Sequence, residues 1–344
     1  MSSQYLLSYR FDELVTVFAG MGLEKYRAKQ VWEWIFKKGV FSFSKMSNLP
    51  ANVRDELSAK FPAILPPIVN KQYSSDKTTK ILLSLHDGAE IESVAIPSST
   101  DSMTFCVSSQ VGCPVSCSFC RTGKMPFKRN LSAEEIVVQV LALKEATRCN
   151  PGNIVLMGMG EPFLNRENVF SALDMLTDSK DLGLASRRIT VSTVGIPHGI
   201  TQFAKRSGEV NLAVSIHSTD KTIREKLIPF AVKYPIEMIR EAIVEYIELT
   251  NRRVTFEYTL LRGINDGFED ALNLVTFCEG LLCHVNIVRF NPFPECSYKA
   301  STHESEREFK KVLKKAGVPV TVRASHGGDI LAACGQLGAE KKPE

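Results

Sequence analysis

The 344-residue sequence has no run of about 20 uninterrupted apolar residues, which leaves no candidate for a membrane-spanning helix. It has no basic-then-apolar leader: MSSQYLLSYRFDEL introduces acidic and polar residues at once. That excludes the pattern of a secretory signal or a transit peptide and sets the expectation of a soluble, cytoplasmic protein with no membrane partner. No internal repeat and no low-complexity segment occurs, which excludes solenoids and fibrous arrays. Charge of one sign is also missing. Lys and Arg total 42 against 38 Asp and Glu, and the net charge of +4 permits an anionic partner without requiring one.

What is present is 44% hydrophobic residues, enough for one large core or for a large domain with a small companion. Basic residues gather at Lys37-Lys38, Lys124 with Lys128-Arg129, Arg187-Arg188, Arg252-Arg253 and Lys310-Lys311 with Lys314-Lys315. Each cluster alone reads as a solvated face, and together they are compatible with RNA.

The first 65 residues read as a small helical domain (1–65). Phe11, Leu14, Val15 and Phe18 share a helical face, YRAKQVWEWIFKKG is a second amphipathic run stopped by Gly39, and Val53, Leu57 and Phe61 share a third face. A linking β-hairpin (66–100) follows, with Ile81, Leu83 and Leu85 alternating, Asp87-Gly88 as the turn and EIESVAIP as the return strand. Over 101–338 strand-like TFCVSS, NIVLMG, RITVST, VNLAVSI, RVTFEYT, HVNIVRF and VPVTVR alternate with helical patterns. The clearest helix is SAEEIVVQVLALKEA, opened by a Ser132/Glu135 capping box. Repeated strand–helix units imply an α/β fold, a partial (β/α) barrel with a parallel sheet. The tail at 339–344 is expected to be disordered.

The nine cysteines do not form a disulfide framework, because three crowd into Cys113-x3-Cys117-x2-Cys120 just after the first barrel strand. Thiolates so spaced converge from one tight loop and read as metal ligands. A structural zinc needs a fourth ligand, and no Cys or His follows closely enough to complete a compact module. A barrel places its site at the C-terminal strand ends. There the sequence has Gly158-Met159-Gly160-Glu161-Pro162, then Ser192-Thr193, Ser215-Ile216-His217 and Asn291-Pro292-Phe293. The glycines would let a ligand approach the backbone, Glu161 could accept from an ammonium, and the small polar residues suit a nucleoside.

At CPVSCSFC, with Phe119 before the last cysteine, the chain resembles the radical S-adenosylmethionine (SAM) superfamily. Across FCVSSQVGCPVSCSFC, MGMGEP, SIHS, NPFP, DILAACGQL, RAKQVWEWIFKKG and DGAEIESVAIP, residues 10–338 resemble the RlmN-type adenine carbon-2 methyltransferases and the related Cfr-type carbon-8 methyltransferases. The resemblance implies a [4Fe-4S] cluster on Cys113, Cys117 and Cys120, with SAM on its open iron and contacted by Gly160, Glu161, Ser192, Ser215, Ile216, His217 and Asn291. It implies that Cys334 carries a methyl group from one SAM, that a 5′-deoxyadenosyl radical from a second activates it, that Cys106 resolves the product through a disulfide, and that Glu92 accepts a proton. Cys149, Cys278, Cys283 and Cys296 match no functional position and read as structural.

The implied substrates are an adenosine of 23S rRNA at the peptidyl-transferase centre and the purine 3′ of the tRNA anticodon. The implied partner is an electron donor such as flavodoxin or ferredoxin, and the implied state is a monomer. Gly160-Glu161-Pro162 and NPFP favour carbon 2 over carbon 8. Leu227–Ala231 and Ala324–Gly328 depart from both patterns. A non-catalytic metal-binding RNA module and a radical activase acting on a protein stay open, although the activase leaves Cys106 and Cys334 without a role.

Overall fold

Each apolar stripe of the N-terminal segment becomes a helix: α1 (Phe11–Gly20), α2 (Lys25–Phe36) and α3 (Ala51–Lys60). The computed structural model describes residues 5–98, 102–206 and 208–338; the expected tail and the 100/101 boundary lie outside the described residues. Leu14, Phe18, Val31, Ile35, Val53 and Leu57 are buried in the same apolar core as the strands that follow, so the helices dock on the sheet. Polar fasteners fix that docking. The Trp32 indole donates to Asp181 at 2.6 Å, and Arg10 pairs with Glu134 at 2.8 Å.

The expected hairpin is present as β2 (Thr79–Ser84) and β3 (Glu90–Pro97), with a further strand β1 (Ile68–Tyr73) antiparallel to β2. β1 escapes sequence patterning because IVNKQY is a half-solvated edge, where apolar alternation is not required. The three strands are more than a linker. β3 pairs antiparallel with β4 (Met103–Cys106), which begins the parallel part of the same sheet.

Short strands β5 (Gln110–Val111) and β6 (Arg129–Asn130) pair on their own beside it. There follow α4 (Ala133–Thr147), β7 (Pro151–Leu156), α5 (Arg166–Thr177), β8 (Ile189–Thr193), α6 (Pro197–Lys205) and β9 (Asn211–Ser215). Then come α7 (Lys221–Leu227), α8 (Ile236–Thr250), β10 (Val254–Leu260), α9 (Phe268–Cys278), β11 (Cys283–Arg289), α10 (His303–Lys315) and β12 (Val320–Arg323). The capping box opens α4 as expected, with Glu135 N donating to Ser132 Oγ at 3.2 Å and Ser132 N donating to Glu135 at 2.9 Å.

All seven strand-like runs of the sequence become the parallel strands β4, β7, β8, β9, β10, β11 and β12, adjacent in that order. The sheet begins at β1 and ends at β12, which do not pair, so the barrel is partial and open along one side. Among the described residues no helix is long and apolar enough to cross a membrane.

Candidate active site at the C-terminal rim of the partial barrel

The loop after β4 is wound so that all three clustered cysteines reach one cavity, lined by Cys113, Cys117 and Cys120 on one wall. Cys120 N closes a turn onto Cys117 O at 3.1 Å, and Ser118 N bonds Leu227 O at 2.9 Å. Gly123 must be glycine here, since a Cβ would lie 2.5 Å from Cys117 O. Val115 and Phe119 anchor the loop in a second apolar cluster with Leu227, Leu261, Phe290 and Phe293. Burial therefore pushes the Cys113 thiol up to about 12 and raises Cys117 and Cys120 as well. Three soft thiols on one loop suit an iron–sulfur cluster, whose positive charge would stabilise them as thiolates. Among the described residues no three Cys, His, Asp or Glu side chains converge on a single ion; Cys296 packs against the loop, its Sγ 4.0 Å from Ser118 O.

The strand-end residues complete the cavity: Gly160, Glu161, Ser192, Ser215, His217 and Asn291 all line it. Ile216 does not. Its side chain is in the core, and its backbone is held by Glu257 O (3.0 Å) and the buried Arg224 guanidinium. The glycines do more than line the cavity. A Cβ on Gly158 would meet Val107 O at 2.7 Å, and one on Gly160 would meet Gln110 N at 2.8 Å. They allow the loop after β7 to lie on the loop after β4, which brings the cavity walls together.

Glu161 is a strut as well as a wall. Phe163 N donates to its Oε1 at 2.9 Å and Val194 N to its Oε2 at 2.8 Å, while burial pushes its carboxyl up to about 7. His217 adopts φ 56°, accepts at Nδ1 from Thr259 N (3.0 Å) and meets Phe119 edge-on at 4.8 Å. That bond leaves the proton on Nε2, and burial beside Arg224 depresses the imidazole to about 3, so the ring is neutral.

Cys334 lines the same cavity, on a loop that lies against the cysteine loop. A second cavity, sharing Met157, Arg323, Asn291 and Cys334 with the first, is also lined by Cys106 at the end of β4. Solvent reaches the Cys334 side chain, although it sits deep within the concave surface, while Cys106 is buried and its thiol is pushed up to about 12. Arg323 stabilises the thiolate form of both. All nine cysteines are free thiols, so no Cys106–Cys334 disulfide is present.

The loop bearing Cys334 is tied on three sides. Asn291 Nδ2 donates to Cys334 O at 3.1 Å, Gln336 to Pro292 O at 2.7 Å, and Arg121 N to Gly335 O at 2.8 Å. The antiparallel extension adds Ser74 Oγ to Asp329 (2.6 Å) and Gly327 N to Asp76 (3.0 Å). Glu92 belongs to this clamp. It is buried outside the catalytic cavity, paired with Lys80 at 3.0 Å and accepting from Gly338 N at 2.6 Å. Glu257 and Arg323 line the cavity and escaped the sequence reading, as did Arg224, which is buried behind the strand ends and holds their carbonyls. Glu257 carried the one available signal, a lone acid amid the apolar β10.

The comparisons agree with this geometry. The Radical SAM superfamily model matches residues 107–275, and the ribosomal RNA large subunit methyltransferase N-terminal domain model matches residues 5–62, the three-helix segment. A probable dual-specificity RNA methyltransferase RlmN from Thermosipho melanesiensis is 46% identical over 337 residues, 98% of each chain. Its namesake from Fervidobacterium nodosum is 44% identical over 96% of each. A radical SAM methyltransferase from Sphaerobacter thermophilus superposes with a TM-score of 0.92 at 39% identity, covering 98% of this chain and 100% of that one. Full-length identity at this level, on a rim built of three loop cysteines and polar strand ends, means that the chain belongs to the RlmN family of radical SAM RNA methyltransferases.

Proposed function

We propose that the protein methylates carbon 2 of an adenosine in 23S rRNA and of the purine 3′ of the tRNA anticodon, with Cys334 as methyl carrier and Cys106 as resolving thiol. The observation that carries this reading is the pair of joined cavities, lined by the loop thiols, Cys334 and Cys106, with Arg323 and Cys334 on both. Bound there, the iron–sulfur cluster and two SAM molecules would supply the methyl group and the 5′-deoxyadenosyl radical.

This chain's own residues do the rest. Cys113, Cys117 and Cys120 hold the cluster. Gly160, Glu161, Ser192, Ser215 and His217 line the cavity and would hold SAM, with neutral His217 offering its Nε2–H as a donor. Backbone at Ile216 fixes the rim. Asn291 holds the Cys334 loop in place. A ring carbon bearing hydrogen is a poor nucleophile, so the methyl would have to be activated by the radical, and the chain's part is to fix the thiol that bears it beside the base. Glu92 is assigned here to the clamp of the Cys334 loop. The base enters splayed from its strand, with the N-terminal helices and basic clusters on the surrounding RNA. Flavodoxin or ferredoxin would supply the electron, and the chain would act as a cytoplasmic monomer.

The test is anaerobic reconstitution with iron and sulfide, then SAM, reductant and protein-free 23S rRNA or tRNA, with nucleoside mass spectrometry and a Cys334→Ala control. A 2-methyladenosine absent from the control is the expected result. An 8-methyladenosine would move the chain to the Cfr-type chemistry. No SAM cleavage by a fully loaded protein would overturn the enzyme reading in favour of an RNA-binding module.

A further inference from the structure

The lower part of the partial barrel holds polar side chains where a packed core would be apolar. Below the catalytic cavity lies a further hollow of about 600 Å³, whose lining includes Thr190, Asn211, Arg252, Arg253, Asn286 and Glu257. Thr190 and Asn211 stand at the starts of β8 and β9, and the arginines immediately precede β10, so this hollow opens at the end of the barrel opposite the cysteines. Glu257, midway along β10, borders both hollows.

Its setting is specific. The register places Glu257 beside Asn286 of β11, and Asn286 beside Thr321 of β12. Their side chains form a chain of hydrogen bonds: His284 Nε2 to Thr321 Oγ1 (2.9 Å), Thr321 Oγ1 donating to Asn286 Oδ1 (2.6 Å), and Asn286 Nδ2 donating to Glu257 Oε1 (3.1 Å). With Thr321 donating onward, the His284 ring donates into it, so every proton in the chain points toward the carboxylate. Oε1 is thereby fixed. Oε2 is buried and has no hydrogen-bond partner, and the side chain is 6% exposed. A buried carboxylate oxygen left unpaired costs free energy, so its presence in a folded chain calls for work that it could do.

The chemistry of Cys334 supplies that work. When its sulfur takes a methyl group, the S–H bond breaks and an S–CH3 bond forms. The bonding pair of the donor sulfonium stays with the departing thioether, so no oxidant or reductant is needed. One proton is released into a cavity whose mouth the RNA would fill.

We propose that Glu257 Oε2 accepts the Cys334 proton and delivers it to water in the lower hollow, which drains to solvent at the opposite end of the barrel. This rests on the methyl-carrier reading of Cys334. Cys334 and Glu257 line one cavity and feel each other's charge, and Arg323 balances both. Burial lifts the Glu257 carboxyl above its ordinary range, which improves it as a base for a thiol.

The test follows the thiol itself. Reconstituted enzyme is mixed with methyl-labelled SAM without RNA and quenched, and mass spectrometry of the Cys334 peptide gives its methylation rate; SAM affinity is measured in parallel. Glu257→Gln is expected to slow methylation by about 10²–10⁴-fold with unchanged SAM affinity. Glu257→Ala is expected to regain at least about tenfold on adding formate or imidazole, because a proton carrier replaces a base and does not replace a structural prop. Glu257→Asp, which keeps the carboxylate, serves if the other variants fail to fold: it is expected to methylate more slowly than wild type and to carry a changed solvent isotope effect. Labelling at the wild-type rate in Glu257→Gln or Glu257→Asp, or a slow Glu257→Ala that formate and imidazole leave slow, would overturn the proposal. An unlabelled Cys334 in wild-type enzyme would instead remove the methyl-carrier reading, and this proposal with it.

Discussion

Lys80→Met tests whether the antiparallel extension clamps the catalytic loop. Lys80 and Glu92 are each 3% exposed and 3.0 Å apart, and Lys80 Nζ also donates to Leu331 O at 3.3 Å, within the Cys334 loop. Removing one member of a buried pair leaves the other charged and unsolvated, at about 3–5 kcal/mol. With unfolding entropy near 2.1 cal/mol/K per residue, that corresponds to a fall in Tm of roughly 4–7 °C for a chain of this length. Glu92→Gln keeps an acceptor for Gly338 N yet strands Lys80, so a loss of similar size is expected. The double variant leaves neither charge and is expected to recover about 2 kcal/mol relative to the sum of the singles. Calorimetry of the four proteins supplies the cycle, and alkylation of Cys334 in the same samples reports loosening of the loop as faster labelling. A Lys80→Met protein melting within about 1 °C of wild type, with an additive double variant, would refute the clamp.

Two further outcomes are expected. Gly160→Ala would force a Cβ to within 2.8 Å of Gln110 N at φ 106°, and should lose about 1–3 kcal/mol together with SAM affinity, read by thermal melting and ligand titration; an unperturbed variant would contradict the close approach of the two loops. His217 is held neutral in the fold with its pKa depressed to about 3, against about 6.5 in an unfolded chain. Its contribution to stability is therefore complete above pH 6.5 and is lost as pH falls from there toward 3. His217→Asn, a residue that tolerates the left-handed backbone, should show a shallower loss of Tm between pH 6.5 and 4 than wild type; parallel curves would be inconsistent with a buried neutral ring.

How much of this was legible in sequence follows from how local each signal is. The capping box of α4, the alternation of β2, the seven parallel strands and the Cys113–Cys120 spacing are written in neighbouring residues, and each appears in the structure where the pattern put it. Long identical blocks then identified the family. Contacts between distant segments obey no such local rule. β1 was missed because an edge strand has only one partner to satisfy. Gly158 and Gly160 line the cavity and also let two loops pack together, a relation visible only once β4 and β7 lie side by side.

Glu92 enters as a strand glutamate to which the resemblance gives a proton-accepting role, and only the folded chain pairs it with Lys80 and with Gly338, 246 residues on. Glu257, Asn286 and Thr321 are unremarkable in three separate segments and form one polar row because parallel register aligns them. The sequence by itself determined the elements, their order and the chemical class, since backbone propensity and ligand spacing act over a few residues. The tertiary structure decided which polar side chains share a cavity, which carboxylate is a clamp and which is left free, because burial and pairing are set by what the whole chain brings together.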